Sequence, residues 1–162
     1  EGQVRLDLQT VQAESLVSSA VDSVAEAYNA KGVRLVRRIP ARLPNLLVDP
    51  DRIGQILGNL LDNALRHTPD GGTVTISATP SPRAGGVELS VADTGDGIAA
   101  EHLPHVFERF YRVDAARDRA HGGSGIGLAI AKALAVAHGG QLNVTSPGTG
   151  KGSTFRILLP RK

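Results

Sequence analysis

The sequence predicts an α/β fold, a two-layer α/β sandwich in which about three helices cover one face of a mixed β-sheet. Three observations predict it. Residues 49–67 carry apolar side chains at the spacing of an amphipathic helix, short alternating runs predict about six or seven strands, and helices alternate with strands along the chain. The 162 residues, 41% of them hydrophobic, suit a single domain, residues 1–162, with its own core.

The first part of the chain predicts one helix among three short strands. Apolar residues recur at helical spacing from Val11 to Tyr28, and Gly32 is placed to end this helix. Pro40 and Pro44 exclude a second helix in the segment that follows. The runs with strand character are residues 4–9, 33–39 and 46–49.

The best-defined element is a helix over residues 49–67. Asp49 suits the N-cap, and Pro50 suits the first helical position, where its missing N–H costs nothing. The helix ends near His67, because residues 68–72 have the composition of a turn. Its apolar stripe consists of Ile53, Ile56, Leu57, Leu60, Leu61, Ala64 and Leu65.

The second part of the chain, from residue 73 onwards, predicts a hairpin, a helix and two final strands. The hairpin joins strands 73–78 and 87–92 through a loop at 79–86. An alanine-rich helix at about 124–138 is stopped by a pair of glycines. The last strands, 141–146 and 154–159, flank a glycine-rich turn.

Composition excludes several classes of function. The net charge of +2 gives no polycationic surface for nucleic acid, and the absence of cysteine excludes disulfides, thiolate metal sites and cysteine nucleophiles. No apolar run is long enough to span a membrane, and the first residues do not have the pattern of a signal peptide. We expect a piece of a longer protein, with any membrane anchor outside it.

A polar seam lies on the predicted helix 49–67. Asn59, Asn63 and Arg66 fall close together around the helix, away from the centre of the apolar stripe. An amide oxygen is a ligand suited to Mg²⁺, which prefers to share its coordination shell with substrate phosphates. The alternative is a solvated helix face.

Two glycine-rich turns offer different chemistry. In DTGDGI, Asp93 could accept a hydrogen bond from an exocyclic amine while Gly95 and Gly97 let the backbone approach a flat ring; the alternative is a tight loop that leaves a strand. GGSGIGLAI instead leads directly into a helix, whose first amides would face a phosphate. A dinucleotide-binding motif is not indicated, because no acidic ribose partner follows at the required distance.

Three of the five aromatic residues of the chain lie between these turns, at Phe107, Phe110 and Tyr111. They could form a small satellite core. They could also anchor a mobile cover over residues 99–123 that carries Arg109 and Arg112 towards a ligand.

Together these motifs resemble the ATP-binding catalytic domain of sensor histidine kinases. NLLDNALRHTP is similar to the N box of that family, DTGDGI to the first glycine box, FERFY to the F box, GSGIGLAI to the second glycine box, and GTGKGSTFRILLP to the closing strand motif. The resemblance spans about residues 4–160 and implies the Bergerat ATP-binding fold, with ATP and Mg²⁺ as ligands. It also implies that residues 1–10 combine the end of a linker with the first strand, and that residues 99–123 form the ATP lid.

The resemblance implies roles for individual residues. Asn59 and Asn63 would hold the metal and phosphates, Arg66 would contact the phosphate chain, and Asp93 would accept a hydrogen bond from the adenine amine. Arg112 would approach the γ-phosphate. The other residues expected around the nucleotide are His67, Gly95, Gly97, Ile98, Phe107, Tyr111, Gly123, Ser124, Gly125, Ile126, Gly127, Leu128 and Thr154.

Within the wider superfamily, three activities compete: histidine kinase, hydrolysing or serine-directed enzyme, and regulatory nucleotide binder. The hydrolysing relatives typically have a glutamate four residues before the metal asparagine, to activate water, whereas this chain has Asn59 there. The intact set of boxes argues against a mere binder.

The resemblance also implies what lies outside the chain. None of its five histidines has the sequence context of a phosphoacceptor, and His67 stands where the family more often has an aromatic residue. We therefore expect the acceptor on a separate dimerisation hairpin, a response regulator as indirect partner, and no nucleic acid. The expected setting is the cytoplasmic part of a membrane-anchored sensor in a GC-rich bacterium, with no membrane contact by this domain.

Overall fold

The computed structural model describes residues 5–81, 85–111 and 126–160. Its three α-helices are α1 (Ala13–Lys31), α2 (Pro50–His67) and α3 (Gly127–Ala137), and a 3₁₀ turn spans Leu103–His105. The strands are β1 (Gln9–Val11), β2 (Arg34–Arg38), β3 (Leu46–Val48), β4 (Thr73–Pro80), β5 (Val87–Asp93), β6 (Gln141–Thr145) and β7 (Ser153–Leu159).

Five strands form the main sheet in the order β2-β4-β5-β7-β6. The pair β2–β4 is parallel and the other three pairs are antiparallel, so the sheet is mixed, as predicted. Along β4, β5 and β7, buried residues alternate with half-buried ones, which is the pattern of a sheet with one face in the core. The helices pack against one another and against this sheet, which confirms the predicted α/β fold.

The beginning of the chain differs from the prediction. A strand was expected at residues 4–9, but β1 begins only at Gln9, residues 5–8 form no regular element, and α1 begins at Ala13. β1 is held by antiparallel pairing with β3 in a separate two-stranded sheet. Pairing with β3 therefore determines where β1 lies. The alternation of apolar and polar residues in the sequence does not reveal this partner strand. Residues 1–4 lie outside the described part of the chain.

The helices are joined to one another by buried hydrogen bonds. The Tyr28 hydroxyl of α1 donates to the carbonyl of Leu61 in α2 at 2.7 Å, and its burial raises the pKa of the phenol. Lys31 donates to the carbonyl of Leu65 at 2.6 Å, in the last turn of α2, where the N–H of Thr68 also donates to this carbonyl at 3.4 Å. Gly32 ends α1 in the left-handed conformation, with φ of 80°, as predicted. Of the helices described, none is long and apolar enough to cross a membrane.

Asp49 is the N-cap of α2, as its sequence context predicts. Its carboxylate accepts from the backbone N–H of Asp51 at 3.1 Å and Arg52 at 3.3 Å, and also from the N–H of Asp7 at 3.0 Å. The hydrogen bond from Asp7, supported by those from Arg52 and Asp51, holds the pKa of this carboxyl below its ordinary value of 3.8.

Replacement of Asp49 by alanine is expected to lower the free energy of unfolding by about 1–2 kcal/mol near neutral pH, because the cap is lost. A depressed pKa means that the carboxylate stabilises the fold above pH 3.8 and loses this effect as the pH falls through the folded-state value. The difference between wild type and Asp49→Ala, measured by urea unfolding, should therefore shrink below pH 3.8. A difference that did not change with acidification would contradict the assignment.

Candidate functional site

Four parts of the fold meet at one corner of the molecule: the second half of α2, the turn after β5, the start of α3, and the turn before β7. The backbone N–H of Asp96 donates to the carbonyl of His67 at the end of α2 at 3.0 Å. The Asn59 side chain of α2 donates to the carbonyl of Gly127 at the start of α3 at 3.0 Å. The N–H of Gly152, just before β7, donates to the carbonyl of Gly95 at 3.1 Å. These bonds bring the DTGDGI turn and Gly127, at the start of α3, to the same helix.

The polar seam on α2 is partly enclosed by the protein. Asn63 is only 8% exposed, and Asn59 and Arg66 are half-buried. An Arg66 guanidinium nitrogen lies 3.5 Å from the Asn63 side-chain oxygen, at the limit of a hydrogen bond, so this oxygen keeps capacity for another partner. A fully solvated helix face, the alternative interpretation of the sequence, does not describe these residues.

Asp93 is the last residue of β5, and its carboxylate is held in place from two sides. Its side chain is buried, one oxygen accepts from the N–H of Gly95 at 2.9 Å, and the other accepts from the Ser153 hydroxyl at 2.9 Å. A carboxylate has about four lone-pair sites, so both oxygens can accept further hydrogen bonds. The carboxylate is thus oriented by the protein and still able to receive a donor.

The residue of β7 that contacts Asp93 is Ser153, which the sequence analysis did not select, and not its neighbour Thr154, which it did. Successive side chains of a strand point to opposite faces. Ser153 is buried on the same face as Phe155 and Ile157, whereas Thr154 lies on the opposite face. The structure therefore brings Ser153 and not Thr154 to Asp93. The alternation of side chains along this last strand, which puts Ser153 on the same face as Phe155 and Ile157, is the sequence signal that would have identified Ser153.

Gly95 and Gly97 are required by contacts within the protein itself. A Cβ atom at Gly95 would overlap the carbonyl oxygen of His67, and one at Gly97 would overlap the carbonyl oxygen of Gly148. Gly97 also has φ of +70°, which L side chains rarely adopt. Neither glycine thus needs a bound flat ring to explain it, although Gly95 donates its N–H to the Asp93 carboxylate. Ile98, the next residue, donates its N–H to the Ser146 hydroxyl at 3.0 Å and is half-buried.

The His67 side chain lies beside the turn after β5. Its Nδ1 atom is 3.2 Å from a carboxylate oxygen of Asp96. The side chains are 28% and 22% exposed, respectively, so solvent reaches both.

Phe107 packs against the main core and not in the separate satellite core that one interpretation of the sequence predicts. Its ring meets that of Phe155 edge to face, at 6.0 Å and 83°. The Lys132 ammonium of α3 lies 5.0 Å from the centre of the Phe107 ring and donates to the carbonyl of Leu142 at 3.2 Å. The aromatic segment is therefore anchored on α3 and β7 at this point.

The remaining aromatics of this segment differ from Phe107. The Tyr111 hydroxyl is hydrogen-bonded to His102 at 2.5 Å, and its ring stacks on His105 at 5.2 Å. Phe110 is 66% exposed and has φ of 67°, which is unusual for a residue with a side chain. Tyr111 thus packs against the two histidines of its own segment, and Phe110 faces solvent.

Several expected residues belong to the second glycine-rich motif, GSGIGLAI. Gly127 and Leu128 begin α3 and Ile126 precedes it, all three half-buried. Arg112, Gly123, Ser124 and Gly125 lie outside the described residues, as do residues 112–123 of the predicted lid. Within the described ranges, no three His, Asp or Glu side chains cluster closely enough to hold a metal ion.

Comparison with known proteins gives a family and several relatives. Residues 48–162 match the family described as histidine kinase-, DNA gyrase B- and HSP90-like ATPases. The adaptive-response sensory kinase SasA of Synechococcus elongatus is 38% identical over 157 residues, which cover 97% of this chain and 40% of SasA. The sensor histidine kinase WalK of Bacillus subtilis is 40% identical over 155 residues, which cover 96% of this chain and 24% of WalK. The chain thus spans less than half the length of either relative.

The fold is also that of a solved relative. The crystal structure of full-length ShkA in complex with AMPPNP superimposes with a TM-score of 0.85 and 32% sequence identity, covering 98% of this chain and 32% of ShkA.

Proposed function

Because this chain belongs to the family of histidine kinase-, DNA gyrase B- and HSP90-like ATPases, we propose that it binds ATP with Mg²⁺ and donates the γ-phosphoryl group to a histidine on a separate dimerisation hairpin. The observation that carries the proposal is the buried Asp93 carboxylate, oriented by Gly95 and Ser153, at the corner where α2, the start of α3 and the turn after β5 meet. In this account Asp93 accepts a hydrogen bond from the adenine amine. His67, Gly95, Gly97 and Ile98 surround the base.

The side chains at this corner suit a nucleotide. A carboxylate that already has two donors and can take a third would distinguish an amine from a carbonyl on a purine. The Thr68 hydroxyl, fully buried next to Gly95, has no hydrogen-bond partner within the described part of the chain. A buried polar atom of this kind is costly unless a ligand or water satisfies it.

The metal and phosphates would be held by the seam on α2. Asn63 offers its side-chain oxygen as a neutral ligand to Mg²⁺, and Arg66, 3.5 Å from that oxygen, offers a fixed cation to the phosphate chain. Asn59, tied to Gly127, places the start of α3 beside them. When bound, Mg²⁺ neutralises charge on the phosphate oxygens. The proposal also assigns Phe107, Tyr111, Arg112, Gly123, Ser124, Gly125, Ile126, Gly127 and Leu128 to the phosphate end of the site and its cover.

Transfer to histidine is favoured over hydrolysis by the residue at position 59. Water needs a general base to attack at neutral pH, whereas a neutral imidazole already has a free lone pair. The Asn59 side chain is an amide, and its nitrogen is engaged by the carbonyl of Gly127. It therefore offers no carboxylate base where hydrolysing relatives carry one. The remaining work of the domain is to position the γ-phosphoryl group and stabilise its charge.

The chain would act as one part of a longer sensor protein. We place the acceptor histidine on a dimerisation hairpin of that protein, with a response regulator receiving the phosphoryl group afterwards. In this account the domain works in the cytoplasm, behind a membrane-anchored sensor of a GC-rich bacterium. The lengths of SasA and WalK, of which the chain matches 40% and 24%, support a larger protein.

Calorimetric titration with Mg-ATP tests the nucleotide part of this proposal through the variant Asp93→Asn. In asparagine the side-chain oxygen can keep the hydrogen bond from Gly95 and the NH₂ can donate to the Ser153 hydroxyl, but this NH₂ cannot accept from the adenine amine. Binding is therefore expected to weaken by about 1–3 kcal/mol, with little change in thermal stability. Unchanged ATP affinity would remove Asp93 from the site. Steady release of phosphate into water by the wild type would favour the hydrolysing activity instead.

A further inference from the structure

Asp96 has no role in the proposed function, although its carboxylate lies beside His67, one of the residues assigned to the base. His67 ends α2, and Asp96 belongs to the turn that begins with Asp93. The Nδ1 atom of His67 is 3.2 Å from a carboxylate oxygen of Asp96. At this distance the ring N–H donates to the carboxylate, and a flip of the ring by 180° would replace the N–H with a carbon and lose the bond. The hydrogen bond therefore selects one orientation of the imidazole.

The backbone at Asp96 does not depend on this side-chain bond. Its N–H donates to the carbonyl of His67 at 3.0 Å, and its carbonyl accepts from the N–H of Gly150. Gly95, one residue before, packs against the carbonyl of His67. The turn is therefore held by main-chain contacts, and the carboxylate of Asp96 acts on the His67 ring without being needed to shape the turn.

The contribution of this pair to folding is expected to be small. The side chains are 28% and 22% exposed, and partly exposed pairs of this kind are weakened by solvent. A ring that is already fixed by a carboxylate loses less conformational freedom when it contacts a ligand. Contact with a ligand is therefore a more direct role for the His67–Asp96 pair than stabilisation of the fold. Because the pair lies at the turn that begins with Asp93, the ligand in question is the nucleotide.

We propose that Asp96 is a positioning residue for nucleotide binding: its carboxylate holds the His67 imidazole in the orientation that contacts ATP. The inference rests on the proposed function, since it assumes that ATP occupies the corner marked by Asp93. Asp96 acts only through the ring of His67 and makes no contact with the nucleotide itself.

A double-mutant cycle on the 162-residue chain tests this inference by calorimetric titration with Mg-ATP. Asp96→Ala is expected to weaken ATP binding about three- to tenfold, the usual effect of a lost hydrogen bond. Asp96→Asn should restore most of the affinity, because its side-chain oxygen still accepts from Nδ1. In the background His67→Phe, which keeps a flat ring but cannot bond to Asp96, the substitution Asp96→Ala should have no further effect.

Thermal melting without ATP and a charge control separate this role from a structural one. The variants should melt close to the wild type, and Asp22→Ala, which removes an exposed carboxylate from α1, should bind ATP normally. The inference is overturned if Asp96→Ala binds ATP like the wild type, if the losses multiply in the His67→Phe background, or if Asp96→Asn is as weak as Asp96→Ala. Failure of the wild type itself to bind Mg-ATP would contradict the proposed function and the inference with it.

Discussion

Replacement of Asn63 by alanine is expected to abolish Mg-ATP-dependent phosphoryl transfer to an acceptor hairpin while the fold stays intact. The side-chain oxygen of Asn63 is the amide ligand proposed for Mg²⁺, and loss of a group that stabilises transition-state charge reduces rates by about 10²–10³-fold or more. Its only hydrogen bond within the described residues is the 3.5 Å contact from Arg66, so folding should hardly change. Asn63→Asp should also abolish transfer, because it adds a negative charge beside the phosphates.

The measurement is incorporation of labelled phosphate into the hairpin, with circular dichroism to verify the fold. Asn29→Ala is the matched control, since Asn29 also lies on a helix but has an exposed side chain. It should transfer phosphate at the wild-type rate. Normal transfer by Asn63→Ala would exclude the proposed metal role.

Replacement of Gly95 by alanine is expected to lower the free energy of unfolding by about 3 kcal/mol or more, because the new methyl group overlaps the backbone at the end of α2. The obstructing atoms are the carbonyl of His67 and the Cα of Thr68, and backbone atoms cannot move away cheaply. Urea unfolding measures the effect.

A second glycine provides the control for this substitution. Gly54 lies inside α2 with no atom within 4 Å of an added Cβ. Gly54→Ala should therefore stabilise the protein by about 0.5–1 kcal/mol, the usual gain from replacing glycine within a helix. If Gly95→Ala were as stable as Gly54→Ala, the close packing of the turn against α2 would be wrong.

The elements predicted best are those whose signals are local. α2 was predicted from its N-cap to its last residue, because Asp49, Pro50 and the apolar stripe act within a few residues of one another. The end of α1 at Gly32 was predicted for the same reason. The grouping of Asn59 and Asn63 on one side of α2 also follows directly from helical spacing.

The features that could not be predicted from the sequence depend on contacts between distant parts of the chain. β1 is placed by its pairing with β3. Gly95 is required by the close approach of the end of α2 to the turn after β5, whereas the sequence alone left a bound ring and a tight loop as alternatives. The hydrogen bond from Ser153 to Asp93 was not predicted, because it depends on which face of β7 turns towards Asp93. The partner of His67 likewise becomes visible only when Asp96 is folded beside it.

The central claim is that this domain transfers a phosphoryl group to a histidine outside itself. The most direct test incubates the chain with γ-labelled ATP, Mg²⁺ and a separately produced, folded dimerisation hairpin that carries the acceptor histidine. Label on the hairpin that is lost in acid and kept in base, as expected of phosphohistidine, is the predicted result. Binding of ATP without any label on a correctly matched hairpin would contradict the account and leave the domain as a regulatory nucleotide binder.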